Sequence, residues 1–158
     1  MILLALLACQ GDAPVSTSES FLAYAGKPGR SLEFVRSEST DSTPLLLEVN
    51  EDGSVWETRY GSRWSSAEPR DSFDVLRDAG LFVDDQQLLP ERISVGATGE
   101  GVEISAIDAH TVWYGTFEDA VIVSVDSGRF TGEQVFAREI GPIALSLDGA
   151  TWELAWYE

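Results

Sequence analysis

The chain has little of the chemistry that disulfide frameworks and metal sites need. Its 158 residues include one cysteine, one histidine and one methionine. A single cysteine, Cys9, excludes an intrachain disulfide. The single histidine, His110, excludes a site built from several histidines. We therefore expect neither a cofactor nor a bound metal from these residue types.

Basic residues are also scarce. Lys and Arg number 10 against 27 Asp and Glu, which gives a formal net charge of −17, and Lys27 is the only lysine. Such a surface repels polyphosphates and anionic headgroups, so nucleic acid is excluded as an expected partner. Residues 50–54 (NEDGS) come closest to a loop of oxygen ligands, but they lack the ligand spacing of a calcium-binding loop and are interpreted as a turn.

Long apolar runs are absent as well. The most apolar stretch is residues 1–9 (MILLALLAC), and residues 10–20 (QGDAPVSTSES) after it are polar and small. A membrane-spanning helix needs roughly 20 apolar residues, so this stretch is too short to cross a bilayer. A short segment packed on the folded domain is one interpretation of it, and a cleaved leader followed by a tether is the favoured one.

The end of this stretch, Leu6-Leu7-Ala8-Cys9, resembles the lipobox of bacterial lipoprotein signal peptides. The resemblance implies cleavage after Ala8 and acylation of Cys9, which would hold the protein at a membrane. Gln10 stands where an aspartate would retain such a protein at the inner membrane, so the resemblance implies the outer membrane. The basic n-region of a secretory signal is missing, which indicates that Met1 is a misplaced start or that the chain is a fragment.

Alternation of apolar residues with period two runs through the chain from residue 31. It indicates strands with one buried face, and Asp-Gly between two such runs is a strong hairpin signal, because glycine adopts positive φ without steric cost. The alternating runs are residues 31–38, 45–49, 55–60, 101–107, 121–125, 143–147 and 152–156. The turns are Asp52-Gly53, Asp126-Ser127-Gly128 and Asp148-Gly149.

One segment is open to two interpretations. Residues 71–81 (DSFDVLRDAGL) fit a helix with Asp71 as its N-cap and Gly80 near its C-terminal end. They also fit a strand, residues 72–76, that turns at residues 77–80 into a second strand, residues 81–89, which Pro90 ends. The hairpins around this segment favour the second interpretation.

We therefore predict an all-β fold, with at most one short helix, built as a curved antiparallel meander that forms a half-barrel or barrel-like sheet. Curvature is expected because an exposed sheet edge invites aggregation. The predicted organisation is a signal peptide in residues 1–8, a lipidated cysteine with a flexible tether in residues 9–30, and a single β domain in residues 31–158.

The C-terminal half carries a second resemblance. Residues 111–121 (TVWYGTFEDAV) place Gly-Thr-Phe between two strands, and residues 136–143 (FAREIGPI) and 152–154 (WEL) follow. This order resembles uncharacterised bacterial secreted and lipid-anchored β proteins, whose Gly-Thr-Phe precedes a small-residue stretch such as Gly-x-Gly-Pro-Val. The resemblance covers roughly residues 85–158. It implies a curved sheet, broadly like the half-barrels of periplasmic lipoprotein carriers, and no catalytic residues.

The motif residues have structural interpretations. Gly115 is expected to form a bend or bulge between two strands, and Phe117 to anchor the second strand in the core. Gly141-Pro142 is expected to redirect the chain, since proline has no N–H for a ladder. The chain departs from the pattern at Glu139, where the group has its first glycine, and at Trp113-Tyr114, where it has Pro-Ala.

Aromatic side chains are the main candidates for ligand contact. The chain has five tryptophans. Trp152 and Trp156 alternate with Leu154 and are interpreted as core. Trp56 and Tyr60 share a strand face and Trp64 follows in a loop, so these three are candidate ligand-contact residues, because exposed aromatic rows stack sugars or hold apolar ligands. Packing in the core and on the sheet is the favoured alternative for them.

These observations favour a lipid-anchored, non-enzymatic domain of the cell envelope that binds or scaffolds an apolar ligand or an envelope partner. A second hypothesis is an envelope hydrolase that uses acidic residues near His110. Asp108 would share a strand face with His110 and could orient it as a base. No Gly-x-Ser-x-Gly elbow accompanies that pair, which disfavours a serine hydrolase. A third hypothesis is a structural partner in an envelope complex.

Overall fold

The computed structural model describes residues 19–38, 40, 43–64 and 71–158. The predicted signal peptide and Cys9 lie outside these residues. The described part of the chain contains strands and one short 3-10 turn, Phe21–Ala23, and no α-helix. No helix in that part is long and apolar enough to cross a membrane.

The strands are numbered in chain order. They are β1 Glu19–Ser20, β2 Ser31–Arg36, β3 Leu45–Val49, β4 Val55–Tyr60, β5 Asp71–Arg77, β6 Gly80–Val83, β7 Gln86–Pro90, β8 Arg92–Ile93, β9 Val102–Val112, β10 Gly115–Val125, β11 Gly132–Ala137, β12 Gly141–Leu147 and β13 Ala150–Tyr157.

Eleven of the described strands form one antiparallel sheet in the order β7-β6-β5-β4-β3-β2-β13-β12-β11-β10-β9. Neighbours in the sheet are neighbours in sequence, except where β13 returns to pair with β2. The two edge strands, β7 and β9, come to lie side by side, so the sheet is nearly closed and barrel-like. The predicted all-β, curved antiparallel architecture is therefore confirmed.

The ambiguous segment is a hairpin and not a helix. β5 pairs with β6 through a turn at Asp78-Ala79, as the second interpretation predicts. The predicted strand over residues 81–89 is wrong, because a second turn at Asp84-Asp85 divides it into β6 and β7. Both aspartates have positive φ, 48° and 62°, which suits a tight two-residue hairpin. Aspartate tolerates this region better than most residues, so no glycine marks the turn.

Two glutamine side chains bridge the seam where the sheet closes. The Gln86 amide nitrogen donates to the Ser127 carbonyl, and the Gln86 amide oxygen accepts the Phe130 N–H at 3.3 Å. The Gln87 amide oxygen accepts the Glu100 N–H, while its nitrogen donates to the Leu89 carbonyl at 3.1 Å. Side-chain amides thus join β7 to the loops that flank β9 and β10.

Residues 19–30 belong to the folded domain, which corrects the predicted tether boundary at residue 30. β1 pairs with β8, and Phe21 and Tyr24 are buried against the barrel. Gly26 packs on Gly141 so closely that a Cβ at Gly141 would lie 2.7 Å from the Gly26 Cα. Burial of these two aromatic side chains stabilises the packing of the segment, although many of its other residues are polar. Composition alone does not reveal this burial, so it assigns the segment to a tether.

The β9–β10 hairpin bends over the barrel toward β13. Its turn is Trp113-Tyr114, and the Tyr114 N–H donates to the Leu154 carbonyl at 2.8 Å. Gly115 directly follows this turn and begins β10, so it lies at the expected bend between two strands, and register shifts lie further along, between Phe117 and Ala120 and between Ile122 and Val123. Phe117 is only half-buried and stacks on Tyr114 at a centroid distance of 6.1 Å, so it packs at the edge of the core.

The β10–β11 loop closes the barrel near the start of β5. Phe130 is buried and meets Phe73 edge to face at 5.6 Å. Arg129 beside it donates to Asp148 at 2.6 Å and to Asp71 at 3.1 Å. These bonds raise the pKa of the Arg129 guanidinium above its ordinary value, with Asp148 the larger cause. The loop therefore fastens the start of β5 to the β12–β13 turn.

Candidate functional site

The concave face of the sheet is filled by the protein's own side chains. Trp56 is 0% exposed and lies among the buried residues of the core, and Thr58 on the same strand is buried too. Tyr60 is half-buried and packs on buried Trp152 at a centroid distance of 5.7 Å. Two of the three predicted ligand-contact aromatics therefore face inward, where they pack against core residues.

Trp64 lies apart from that interior row. It is 83% exposed and follows β4 by four residues. Arg63, the residue before it, carries its guanidinium carbon 5.1 Å from the centre of the Trp64 ring. The structure thus separates Trp64 from Trp56 and Tyr60 and brings it to the outer surface.

A bulge in β13 places a second tryptophan beside it. Leu154 pairs with Phe34, but Trp156 pairs with Glu33, so Ala155 is one residue more than β2 provides. Because successive strand residues face opposite sides, the extra residue reverses the alternation. Trp156 therefore faces outward, and the prediction that it shares the face of Leu154 is wrong.

Four strands contribute to the outer row that ends at Trp156. Residues paired across β4, β3, β2 and β13 are Arg59, Leu46, Glu33 and Trp156. Leu46 is only 1% exposed although it lies on the outer face, so its neighbours in this row cover it. The row combines one apolar centre with charged and aromatic flanks.

Arg63 joins the two tryptophans. Its guanidinium carbon lies 3.8 Å from the centre of the Trp156 ring, which is stacking distance, and its backbone N–H donates to the Glu33 carboxylate at 3.0 Å. Cation–π contacts of this kind contribute about 0.5–1 kcal/mol at exposed sites. The backbone bond and the stacking hold Arg63, and with it Trp64, against the sheet.

These residues border a groove of about 310 Å³ on the outer face, which we call the Trp64 groove. Its lining residues are Ser31, Leu46, Glu48, Arg59, Arg63, Trp64, Trp156 and Glu158. The Arg59 guanidinium lies 3.7 Å from the Glu48 carboxylate, so one of the two arginines of the groove already has an anionic neighbour. The groove offers an aromatic surface, hydrogen-bond donors and acceptors, and a local balance of charge.

The residues of the hydrolase hypothesis, Asp108 and His110, both lie on β9. Asp108 accepts the N–H of Ala109 at 2.7 Å, and the described residues show no hydrogen bond between Asp108 and His110. That strand pairs with β10 through Asp108–Ala120 and His110–Phe117. Within the described ranges no three His, Cys, Asp or Glu side chains are placed to hold a metal ion.

A second polar cluster lies where residues 19–30 meet the sheet. The Tyr24 hydroxyl donates to Glu19 at 2.7 Å, and Arg138 pairs with the same carboxylate. Burial raises the pKa of the Tyr24 hydroxyl, and the charge of Asp119 adds to the effect. These bonds connect β1 to the β11–β12 turn and hold residues 19–24 against the sheet.

Sequence reasoning finds Trp64 and misses its partners. Arg59, Glu48 and Trp156 join the groove only through strand register and the bulge at Ala155, which no local pattern reveals. The one local signal is the adjacent pair Arg63-Trp64. Comparison with family models, with curated proteins and with solved structures finds no match to this chain.

Proposed function

We propose that this protein is a non-enzymatic binding domain that holds its ligand on the outside of the barrel, in the Trp64 groove. One observation carries the proposal: Trp64 and Trp156 flank Arg63 on the outer face, and Trp64 is 83% exposed. Tryptophan is enriched at binding surfaces, because it combines a large apolar ring with a hydrogen-bonding N–H. The filled interior supports an external site over an internal one.

The groove is held in shape before a ligand arrives. Leu46 and Glu33 lie on the central strands of the four, and their backbones are fixed by ladder bonds on both sides. Arg63 is bonded to Glu33 and stacked on Trp156. A preorganised site loses less conformational entropy on binding, so affinity can come from a small contact area.

We further propose that the protein is anchored in the bacterial envelope, at the outer membrane, through acylated Cys9. The lipobox-like Leu6-Leu7-Ala8-Cys9 supports this proposal. Radiolabelled palmitate should label the wild-type chain and not a Cys9→Ser variant, and the variant should leave the detergent phase in a Triton X-114 separation. Equal labelling or equal partitioning of the two chains would contradict the anchor.

The groove is tested by sedimentation of the purified full chain with washed envelope fragments of a two-membrane bacterium, with Cys9→Ser in every chain so that no acyl group anchors it. Trp64→Ala should weaken co-sedimentation about tenfold or more, because it removes the exposed ring. Trp113→Ala is the matched control: Trp113 is also exposed, at 71%, but lies at the tip of the β9–β10 hairpin. Loss in both variants, or in neither, would refute the Trp64 groove as the binding site.

A further inference from the structure

We propose that the ligand of the Trp64 groove is a neutral saccharide, an inference that rests on the binding function proposed above. Three features of the groove carry it: an exposed aromatic platform, hydrogen-bonding side chains at its edge, and, among the described residues, arginines that lie beside carboxylates or over aromatic rings. A sugar ring presents an apolar C–H face to the platform and hydroxyl groups to the edge.

The platform is the Trp64 ring. Arg63 already stacks on Trp156 at 3.8 Å, so that ring is partly covered, whereas Trp64 is 83% exposed. Aromatic rings carry partial negative charge on their faces and attract the weakly positive C–H groups of a sugar. One exposed indole face offers about the area of one sugar ring, and the groove volume of about 310 Å³ lies at the small end of ligand sites.

The edge of the groove supplies partners for hydroxyl groups. Glu48 presents a carboxylate that accepts hydrogen bonds, Arg59 presents a guanidinium that donates them, and the Ser31 hydroxyl does both. Each sugar hydroxyl can also donate and accept, so a saccharide matches this mixed set. A purely apolar ligand, such as an acyl chain, would remove water from these polar groups without replacing its hydrogen bonds, which is costly.

The charges around the groove favour a neutral ligand over an anionic one. Arg59 lies 3.7 Å from Glu48, and the Arg63 guanidinium lies over the two tryptophan rings. The Glu33 carboxylate, which accepts the Arg63 backbone N–H, adds a negative charge nearby. Glu57 faces Glu48 across the β3–β4 pair, and the whole chain carries a net charge of −17. A phosphate or carboxylate ligand would be repelled by this surrounding field.

A protein partner is the main competitor, and the outer face fits it less well. A stable interface buries roughly 800 Å² on each partner around an apolar centre. Leu46, the apolar residue of the outer row, is already 1% exposed, and the next row holds Glu57 and Glu48. Trp64 and the partly covered Trp156 therefore lie among charged neighbours, which suits a small ligand better than a wide interface.

The proposal is tested by affinity gel electrophoresis of the full chain, with Cys9→Ser in every chain to remove the acyl group. The native gels contain soluble neutral polysaccharides: a β-1,4-glucan, a β-1,3-glucan, a galactomannan and an α-glucan. At least one should retard the chain that has no further substitution. Trp64→Ala should abolish the retardation and Glu48→Gln should weaken it several-fold, while Trp113→Ala should leave it unchanged. Alginate, an anionic polysaccharide, and phosphatidylcholine vesicles serve as comparison ligands for the same four chains.

The outcomes separate this inference from the function on which it rests. Retardation by alginate alone, or binding to vesicles alone, would overturn the neutral-saccharide assignment, as would envelope binding that is lost after protease treatment of the fragments. In each of these cases sensitivity to Trp64→Ala would keep the groove as the binding site. Envelope binding that is indifferent to Trp64→Ala would overturn both. Retardation by a neutral polysaccharide that depends on Trp64 and not on Trp113 supports both.

Discussion

The inner and outer faces of β4, β3, β2 and β13 are built from the same four strands and differ in almost everything else. One inner row pairs Tyr60, Leu45, Phe34 and Leu154, all half-buried or buried. One outer row pairs Arg59, Leu46, Glu33 and Trp156. Tryptophan occurs on both faces, as Trp56 with no exposed surface and as Trp156 beside the exposed Trp64.

The difference shows that residue type does not decide the role of an aromatic residue in this sheet. Face and register decide it. Trp56 and Trp152 fill the interior, and the Trp156 ring, only four residues beyond Trp152, forms the wall of a surface groove. The inner face stabilises the fold through apolar burial. The outer face forms the Trp64 groove, whose exposed side chains contribute little to stability. Each prediction below tests that division of roles.

The largest expected effect contrasts two tryptophans of the β4 region. Trp56→Ala should lower the free energy of unfolding by about 3–5 kcal/mol, because it leaves a large cavity in a packed interior. Trp64→Ala should change it by less than about 0.5 kcal/mol, because the ring is solvent-exposed. Urea denaturation followed by far-ultraviolet circular dichroism measures both. Similar losses in the two variants would break the division between the faces.

Alternation in the sequence accounts for most of the sheet and fails where one residue is inserted. Leu45, Leu47 and Val49 face inward as the period of two predicts, and the hairpin at Asp52-Gly53 is found where Asp-Gly indicates it. The bulge at Ala155 has no local signature, because it is set by pairing with β2, more than a hundred residues earlier. The same strand register brings the groove residues together, so the groove cannot be predicted from local sequence either.

Closure of the barrel is unpredictable for a related reason. The seam depends on Gln86 and Gln87, polar residues whose side chains replace a backbone ladder. The sequence around a glutamine in a strand does not indicate which distant segment its side chain will hydrogen-bond. The turn at Asp84-Asp85 is hidden in the same way, since neither residue is the glycine that a tight turn usually shows.

A buried polar side chain gives the next test of the inner face. Gln134 is 0% exposed and bonds with backbone groups of β12 and the β10–β11 loop. Its amide nitrogen donates to the Phe130 carbonyl at 2.6 Å and to the Ser146 carbonyl at 3.0 Å. Its amide oxygen accepts the Ser146 N–H at 3.1 Å. Gln134→Leu leaves these groups without partners. Denaturation should show a loss of about 1–3 kcal/mol.

Gln86→Leu is the matched surface variant. Gln86 also bonds two backbone groups, but it lies at the rim of the seam, where water can replace its bonds. A loss below about 1 kcal/mol is expected. A larger loss for Gln86 than for Gln134 would mean that seam closure, and not interior polarity, limits stability.

The smallest effect concerns the surface turn between β11 and β12. Glu139 has a φ of 65°, a left-handed conformation that costs a residue with a Cβ about 1–2 kcal/mol, and the resemblance proposed for the C-terminal half has glycine at this position. Glu139→Gly should raise the unfolding free energy by about 0.5–1 kcal/mol, since the entropy cost of glycine offsets part of the relief. Glu139→Gln keeps the strain and should be nearly neutral.

The pH dependence of this gain separates strain from charge. Lys27 lies 2.6 Å from Glu139 and holds the pKa of that carboxyl below its ordinary value, chiefly through their hydrogen bond. The pair therefore stabilises the fold above the unfolded carboxyl pKa of about 4.3, and this contribution is lost as pH falls through the folded pKa. Glycine forfeits the pair, so the advantage of Glu139→Gly should be larger at pH 3 than at pH 7. An advantage that vanished at pH 3 would show that charge, and not the left-handed backbone, governs the turn.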